Sequence, residues 1–185
     1  MITPEKQRDE ILAELTTVTA ALAGSIAPVL VAGGITNIGY ALRGARDSNG
    51  IAAINGGFVV GDGIIRPAGT CGFGTDSALS TIILTATKFD PQMRSAATIR
   101  FTDEAKQVLE GMFLDCCTVD RRGKATGIGT LDWGIASCCK NGVPEAIMDR
   151  GLPGNTSWIY LLGETPGDVA ANIIMLSNRI IHIEL

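Results

Sequence analysis

The order of apolar and polar positions changes period several times along the chain, and each change predicts a new element. Thr3-Pro4 reads as an N-cap with proline at the first helical position, and Ile11, Leu15, Val18 and Leu22 then recur at helical spacing as far as Gly24. Residues 28–31 begin an extended segment. Gly33-Gly34-Ile35-Thr36-Asn37-Ile38 follows, either as a plain turn or as a site loop in which Asn37 presents both a donor and an acceptor. Phe58-Val59-Val60 and Ile64-Ile65 flank Gly61-Asp62-Gly63, the signature of a short hairpin. Cys71-Gly72-Phe73-Gly74-Thr75-Asp76-Ser77 is a glycine loop opening onto a helix marked by Leu79, Ile82, Ile83 and Ala86. Free N–H groups at such a helix start favour phosphate. Equally, Thr75 or Asp76 serves only as the helix cap.

In the second half Ala97, Ile99 and Phe101 alternate with Thr98 and Arg100, which predicts a half-buried strand. Residues 103–112 read as a helix, 115–119 as a strand and 130–139 as a helix stopped by Asn141-Gly142. Strands are expected at 145–148 and 157–162. Thr165-Pro166-Gly167-Asp168 resembles a capping box, and Val169, Ile173, Leu176 and Ile180 form the last helical stripe. A final strand is expected at 181–185. Mixed helices and strands with a hairpin predict an α/β fold with a mixed sheet and helices on its faces. No repeat or linker interrupts the chain, so residues 1–185 are expected to form one domain.

Composition narrows the function classes. Hydrophobic residues make up 46% and charged residues 18%, enough apolar surface for a core. The net charge of -4 and the lack of a basic stripe argue against nucleic acid as a partner. A small anionic ligand stays compatible with local arginines. The uncharged stretch between Glu14 and Arg43 is rich in Thr, Gly and Ser and broken by Pro28, so no membrane span is expected. Glu5, Asp9 and Glu10 replace the basic start of a signal peptide. Cys71, Cys116, Cys117, Cys138 and Cys139 are odd in number and lack C-x-x-C spacing, so reduced, buried thiols and a cytoplasmic location are expected, with no metal site. His182 is the single histidine, which argues against a histidine-based triad.

Polar groups cluster at junctions of strands and loops: Thr36-Asn37, Thr75-Asp76-Ser77, Asp120-Arg121-Arg122 and Asp149-Arg150. Arginine there suits a phosphate fork, whereas an Asp–Arg pair also serves as an ordinary surface salt bridge.

These residues resemble the archaeal thiamine-phosphate synthase domain of the ThiN type. Thr36-Asn37-Ile38-Gly39-Tyr40-Ala41-Leu42 is similar to its Asn-Ile-x-Tyr-Ala-Leu stretch, and Phe73-Gly74-Thr75-Asp76-Ser77 falls on its Phe-Gly-Ala-Ser-Ser motif. Lys88-Phe89-Asp90-Pro91, Arg94-Ser95-Ala96, Ile99-Arg100-Phe101, Val119-Asp120-Arg121-Arg122, Trp133-Gly134-Ile135 and Asp149-Arg150-Gly151 follow in the family's order. The likeness extends over residues 33–176 and into the last helix. It implies a three-layer α/β/α sandwich with a mixed, largely antiparallel sheet, like the AraD class II aldolases. It implies a link to thiamine biosynthesis: a pyrimidine diphosphate and a thiazole phosphate give thiamine phosphate and pyrophosphate. It further implies ligand contacts from Asn37, Gly74, Thr75, Ser77, Asp120, Arg121, Asp149, Arg150 and Gly154, with Mg2+ as an optional companion of a diphosphate and no other cofactor. A homo-oligomer stays open. The family's kinase and helix-turn-helix companions have no counterpart within these 185 residues.

Two departures stand out. The family arginine two residues before the motif asparagine is Ile35, and the histidine after the Phe-Gly-Ala-Ser-Ser run is Ala78. The loop after Arg122 is also shorter, and Asn155-Thr156 replaces a Lys-Glu pair after Gly154. A leaving pyrophosphate builds negative charge that neither Ile35 nor Ala78 can stabilise. The expectation is a binder of thiamine phosphate or its precursors with impaired catalysis. Alternatives are an active synthase using Arg121, Arg150 or a metal instead, and an enzyme of another phosphorylated substrate.

Overall fold

A computed structural model describes residues 2–121, 130–151 and 156–183. Helix α1 spans Pro4–Ala23, with Thr3 capping it by accepting from Lys6 N at 3.3 Å and Gly24 closing it. The strands β1 (Asn37–Ala41) and β2 (Ile51–Ile54), the hairpin β3 (Phe58–Gly61) and β4 (Ile64–Pro67), and β5 (Cys71–Phe73) precede α2 (Ser77–Phe89). Then come β6 (Ser95–Arg100), α3 (Asp103–Gly111), β7 (Cys116–Val119), α4 (Leu131–Cys138), β8 (Ala146–Asp149), β9 (Trp158–Gly163) and α5 (Pro166–Ile183).

Seven strands form one sheet in the order β5-β2-β1-β6-β9-β8-β7, and the β3–β4 hairpin forms a second small one. Every pair in the large sheet is antiparallel except β7–β8, which is parallel. The mixed, largely antiparallel sheet is therefore as expected.

The sheet's two faces carry separate cores, because successive side chains point to opposite sides. On one face Ile38, Ala97, Ile99, Ile159 and Leu161 pack against Leu15 and Leu22 of α1, Leu109 of α3 and Ile173 and Leu176 of α5. On the other Ala41, Ala53, Ala96, Tyr160 and Leu162 meet Leu79, Ile82 and Ile83 of α2 and Ile135 of α4. Gly39 lets α2 sit close: a Cβ there would lie 2.9 Å from Leu79 Cδ2 and 3.0 Å from Ala52 O. The hairpin turn is made by Asp62 and Gly63, both at positive φ (52° and 75°), the geometry that matches strand twist.

Three expectations change. Residues Pro28–Leu30 form a 3-10 turn, not an extended segment: Pro28 starts it, and Leu30 is fully buried in the α1/α3/α5 core. The end of the chain is no strand. The stripe through Ile180 continues α5 to Ile183, and His182 Nδ1 lies 2.7 Å from Asn178 O, one turn back. Two of the cysteines are not reduced thiols. Cys117 on β7 and Cys138 on α4 face each other across the β7–α4 packing, with Cα atoms 5.8 Å apart, and form a disulfide. Cys71, Cys116 and Cys139 are free. No helix among the described residues is long and apolar enough to cross a membrane.

Candidate functional site: a cleft at the start of helix α2

The loop ahead of β1 is fixed by its own backbone and by Thr36. The buried Thr36 hydroxyl accepts from Ala32 N at 2.9 Å and donates to Leu30 O, while Gly34 N donates to Phe58 O. Phe58 N returns a bond to Thr36 O at 2.8 Å. Gly57 makes that crossing feasible, since a Cβ there would lie 2.6 Å from Thr36 O and its φ is +65°. This brace leaves Ile35 on the lip of a cleft, half of its surface exposed (50%).

Opposite stands the first turn of α2. Asp76 is the N-cap and accepts from Leu79 N at 2.9 Å through Oδ1. Its Oδ2 accepts from Asn37 Nδ2 at 3.0 Å. The capping alternative for this loop is thus realised by Asp76, and the carboxylate is held at both oxygens. Each oxygen keeps a further lone-pair site.

Asn37 is buried, and its carboxamide is engaged at every position. Nδ2 also donates to Ile54 O at 2.9 Å, and Oδ1 accepts from Ile54 N at 3.0 Å and Ile38 N at 2.8 Å. The side chain thereby takes the place of a strand residue opposite Ile54, one step beyond the last backbone pair of β1 and β2, Gly39 with Ala53. Thr75 likewise turns its hydroxyl to Ala53 O and Gly72 O. Gly74 (φ +73°) and Ser77 are exposed beside it.

Two adjoining hollows share Gly34 and Asp76. One, of ≈ 210 Å³, is lined by Ile35, Ala78, Ile82, Thr98, Leu131, Trp158 and Tyr160 as well. The other, of ≈ 240 Å³, adds Asn37, Gly56, Gly57, Thr75 and Ser77. Ile35 and Ala78, far apart in sequence, therefore line the same hollow. Among the described residues lining both hollows, Asp76 is the one charged side chain. Tyr160 is a neutral phenol: burial, and then the charge of Asp149, push its titration far above the ordinary tyrosine range.

Behind Tyr160 lies a buried polar network. Asp149, at the end of β8, accepts from Tyr160 OH at 2.8 Å, Gly151 N at 2.8 Å and Arg121 Nε at 3.1 Å, and Arg121 Nη2 lies 3.0 Å from Oδ2. This pair is buried, not a surface salt bridge. Arg121 and Asp149 support the cleft from behind. Arg150 lies elsewhere, with its guanidinium over Phe101 at 4.7 Å, on the side of the α1/α3/α5 core. Asp120 is exposed at the end of β7. Gly154, Arg122 and Asn155 lie outside the described residues.

The structure thus brings together Ile35, Asn37, Thr75, Ser77 and Ala78 along the two hollows, whereas Gly74 lines neither and Arg150 is set apart. Thr98, Leu131, Trp158 and Tyr160 were not singled out by sequence. The alternation of Trp158, Tyr160 and Leu162 on one strand was the available signal. No three His, Cys, Asp or Glu side chains converge among the described residues. Asp76 alone could give Mg2+ one carboxylate, the rest coming from water and a diphosphate.

Residues 14–175 match the family model for thiamine-phosphate synthase ThiN. The chain belongs to the ThiN family. The bifunctional thiamine biosynthesis protein ThiDN of Methanocaldococcus jannaschii is 28% identical over 141 residues, which is 75% of this chain and 34% of that protein. The thiamine-phosphate synthase ThiN of Methanothermobacter thermautotrophicus is 25% identical over 114 residues, 58% of this chain and 60% of that protein. The alignments thus span about a third and under two thirds of these relatives. Among solved structures, the C-terminal domain of a phosphomethylpyrimidine kinase superposes with a TM-score of 0.81 at 26% identity, covering 90% of this chain and 98% of that one. A sugar-phosphate aldolase from Thermotoga maritima shares the fold more loosely, with a TM-score of 0.54 at 12% identity over 95% of each chain. This ThiN-family domain is tied to thiamine biosynthesis by family.

Proposed function

We propose that this ThiN-family domain binds thiamine phosphate or one of its phosphorylated precursors in the cleft and carries impaired synthase activity. The observation that carries this reading is that Ile35 and Ala78 line one hollow together with Asp76. At these positions the family resemblance places an arginine and a histidine. Synthesis would expel pyrophosphate, and catalysis of that step depends on donors aimed at the developing charge. Arg150 lies over Phe101 and Arg121 is bound to Asp149, which speaks against either as a substitute clamp.

The test is pyrophosphate release from the pyrimidine diphosphate and the thiazole phosphate, with calorimetric titration of thiamine phosphate alongside. Loss of one such donor lowers turnover by about a hundredfold or more. The native chain should therefore turn over at least that much more slowly than the double variant Ile35→Arg, Ala78→His. Native turnover equal to that of the double variant, at enzyme-like rates, would remove the reading. So would the absence of any binding.

A further inference from the structure

We infer that Tyr160 is a specificity-determining residue that accepts a hydrogen bond from an amino-substituted nitrogen ring, and that Asp149 and Arg121 are positioning residues that fix this polarity. This rests on the reading above that the cleft holds thiamine phosphate or a precursor. It adds how the ring half of such a ligand is recognised.

Alternation along β9 sends Trp158, Tyr160 and Leu162 to the face of the sheet covered by α2 and α4. Tyr160 there lines the hollow that also holds Ile35 and Ala78. A phenol has a single proton to give. That of Tyr160 goes to Asp149 Oδ2 at 2.8 Å. The Asp149 carboxylate can only accept, and it is held from behind by Gly151 N at 2.8 Å and by Arg121 Nε and Nη2 at 3.1 and 3.0 Å. Swinging the O–H into the hollow would set the phenol's lone pairs against this anion and leave a buried carboxylate oxygen short of a donor. The Tyr160 oxygen therefore meets a guest as an acceptor.

Thr98 stands beside it. The two residues are Cα partners across β6 and β9, both are buried, and both line the same hollow. The Thr98 hydroxyl rotates freely between donating and accepting. The pair thus offers an acceptor of fixed sign next to an available donor. The edge of an aminopyrimidine is its complement: the exocyclic N–H donates and the adjacent ring nitrogen accepts. A ring carbonyl with a neighbouring N–H presents the two functions in reverse order. Thr98 can follow that reversal, but Tyr160 cannot, and two acceptors would then face each other out of reach of bulk water.

The probes are thiamine phosphate and its oxo analogue, in which a ring carbonyl replaces the amino group of the pyrimidine. Binding of each is measured by calorimetry, and the readout is their ratio, which a general loosening of the site would not move. The native chain should bind the amino probe at least about tenfold more tightly. Tyr160→Phe removes the acceptor and should narrow the ratio to about threefold or less. Asp149→Asn lets the phenol accept from the new amide and turn its proton into the hollow, so it should narrow the ratio as far or reverse it, although Asp149 itself touches no ligand. Thermal unfolding establishes that each variant is folded, and one folded variant suffices.

An unchanged ratio in either folded variant overturns the inference. Equal binding of the two probes by the native chain, or tighter binding of the oxo analogue, overturns it while leaving the reading of a catalytically impaired binder in place. Absence of binding by both probes ends both.

Discussion

Asp149 offers the most exacting test of how the cleft is supported. It is 1% exposed, beside an Arg121 side chain that is 12% exposed, so the pair sits in a weakly screened interior. Asn in its place keeps one oxygen and turns the other into an N–H2 donor. If the new amide nitrogen replaces Oδ1, it faces Gly151 N and Arg121 Nε, both obligate donors. If it replaces Oδ2, the Tyr160 hydroxyl can rotate to accept, but Arg121 Nη2 loses its anion. The second arrangement is the cheaper, and it forfeits one charge-assisted bond and the pair's charge, about 2–3 kcal/mol. Alanine abandons all of these donors and leaves a buried guanidinium, so Asp149→Ala should cost about 3–5 kcal/mol. Replacing both partners by apolar residues, Asp149→Leu with Arg121→Met, should cost less than the sum of the single changes. Urea unfolding followed by circular dichroism reads these differences as midpoint shifts at constant slope. A cost below about 1 kcal/mol for Asp149→Ala, or strict additivity in the double variant, would refute the account of a buried, interdependent pair.

Two further outcomes are expected. Tyr160 keeps its proton in the folded chain well beyond the ordinary value of 10.0, at which it titrates when unfolded. Below that pH both states are protonated and the group is neutral to stability, whereas above it the unfolded state alone releases the proton and stability falls. One such group adds a slope of about 1.4 kcal/mol per pH unit, which Tyr160→Phe should remove from the alkaline limb of a stability–pH curve; an unaltered limb would contradict the burial argument. Second, the Cys117–Cys138 bond closes a sequence separation of 21 residues, for which the chain-entropy estimate is about 3 kcal/mol. A reductant should lower the melting temperature of the native chain and leave that of Cys117→Ser, Cys138→Ser unchanged; equal effects on both would speak against the bond.

The helices were legible because each buries a single stripe and begins with a recognisable cap, as at Thr3 and Asp76. β1 and β2 were not. Both of their faces are covered, every residue in them is buried, and small residues such as Gly39, Ala41, Ala52 and Ala53 erase the alternation that betrays a half-exposed strand. β5 has only three residues at the sheet edge. At the chain's end residues 181–185 were expected as a strand, but the helical stripe through Leu176 and Ile180 carries α5 on to Ile183. Of the polar residues near glycines, Asn37, Thr75 and Ser77 lie together in one hollow. Other partners were hidden, since no local pattern tells that Arg150 stacks on Phe101, that Arg121 turns to Asp149, or that Cys117 finds Cys138.

The carboxamide of Asn37 has a consequence for any guest. By occupying the backbone groups of Ile54, it stops the β1–β2 ladder from zipping further and leaves no unmet polar group to pull the strands together. The hollow beyond it is therefore wedged open before anything arrives. Among the described residues a ligand has no strand to peel away there, so little conformational entropy is surrendered on entry. Such a vacancy should fill by simple diffusion and empty as readily. Occupancy would then follow the ambient ligand concentration without delay, the behaviour of a gauge more than of a trap.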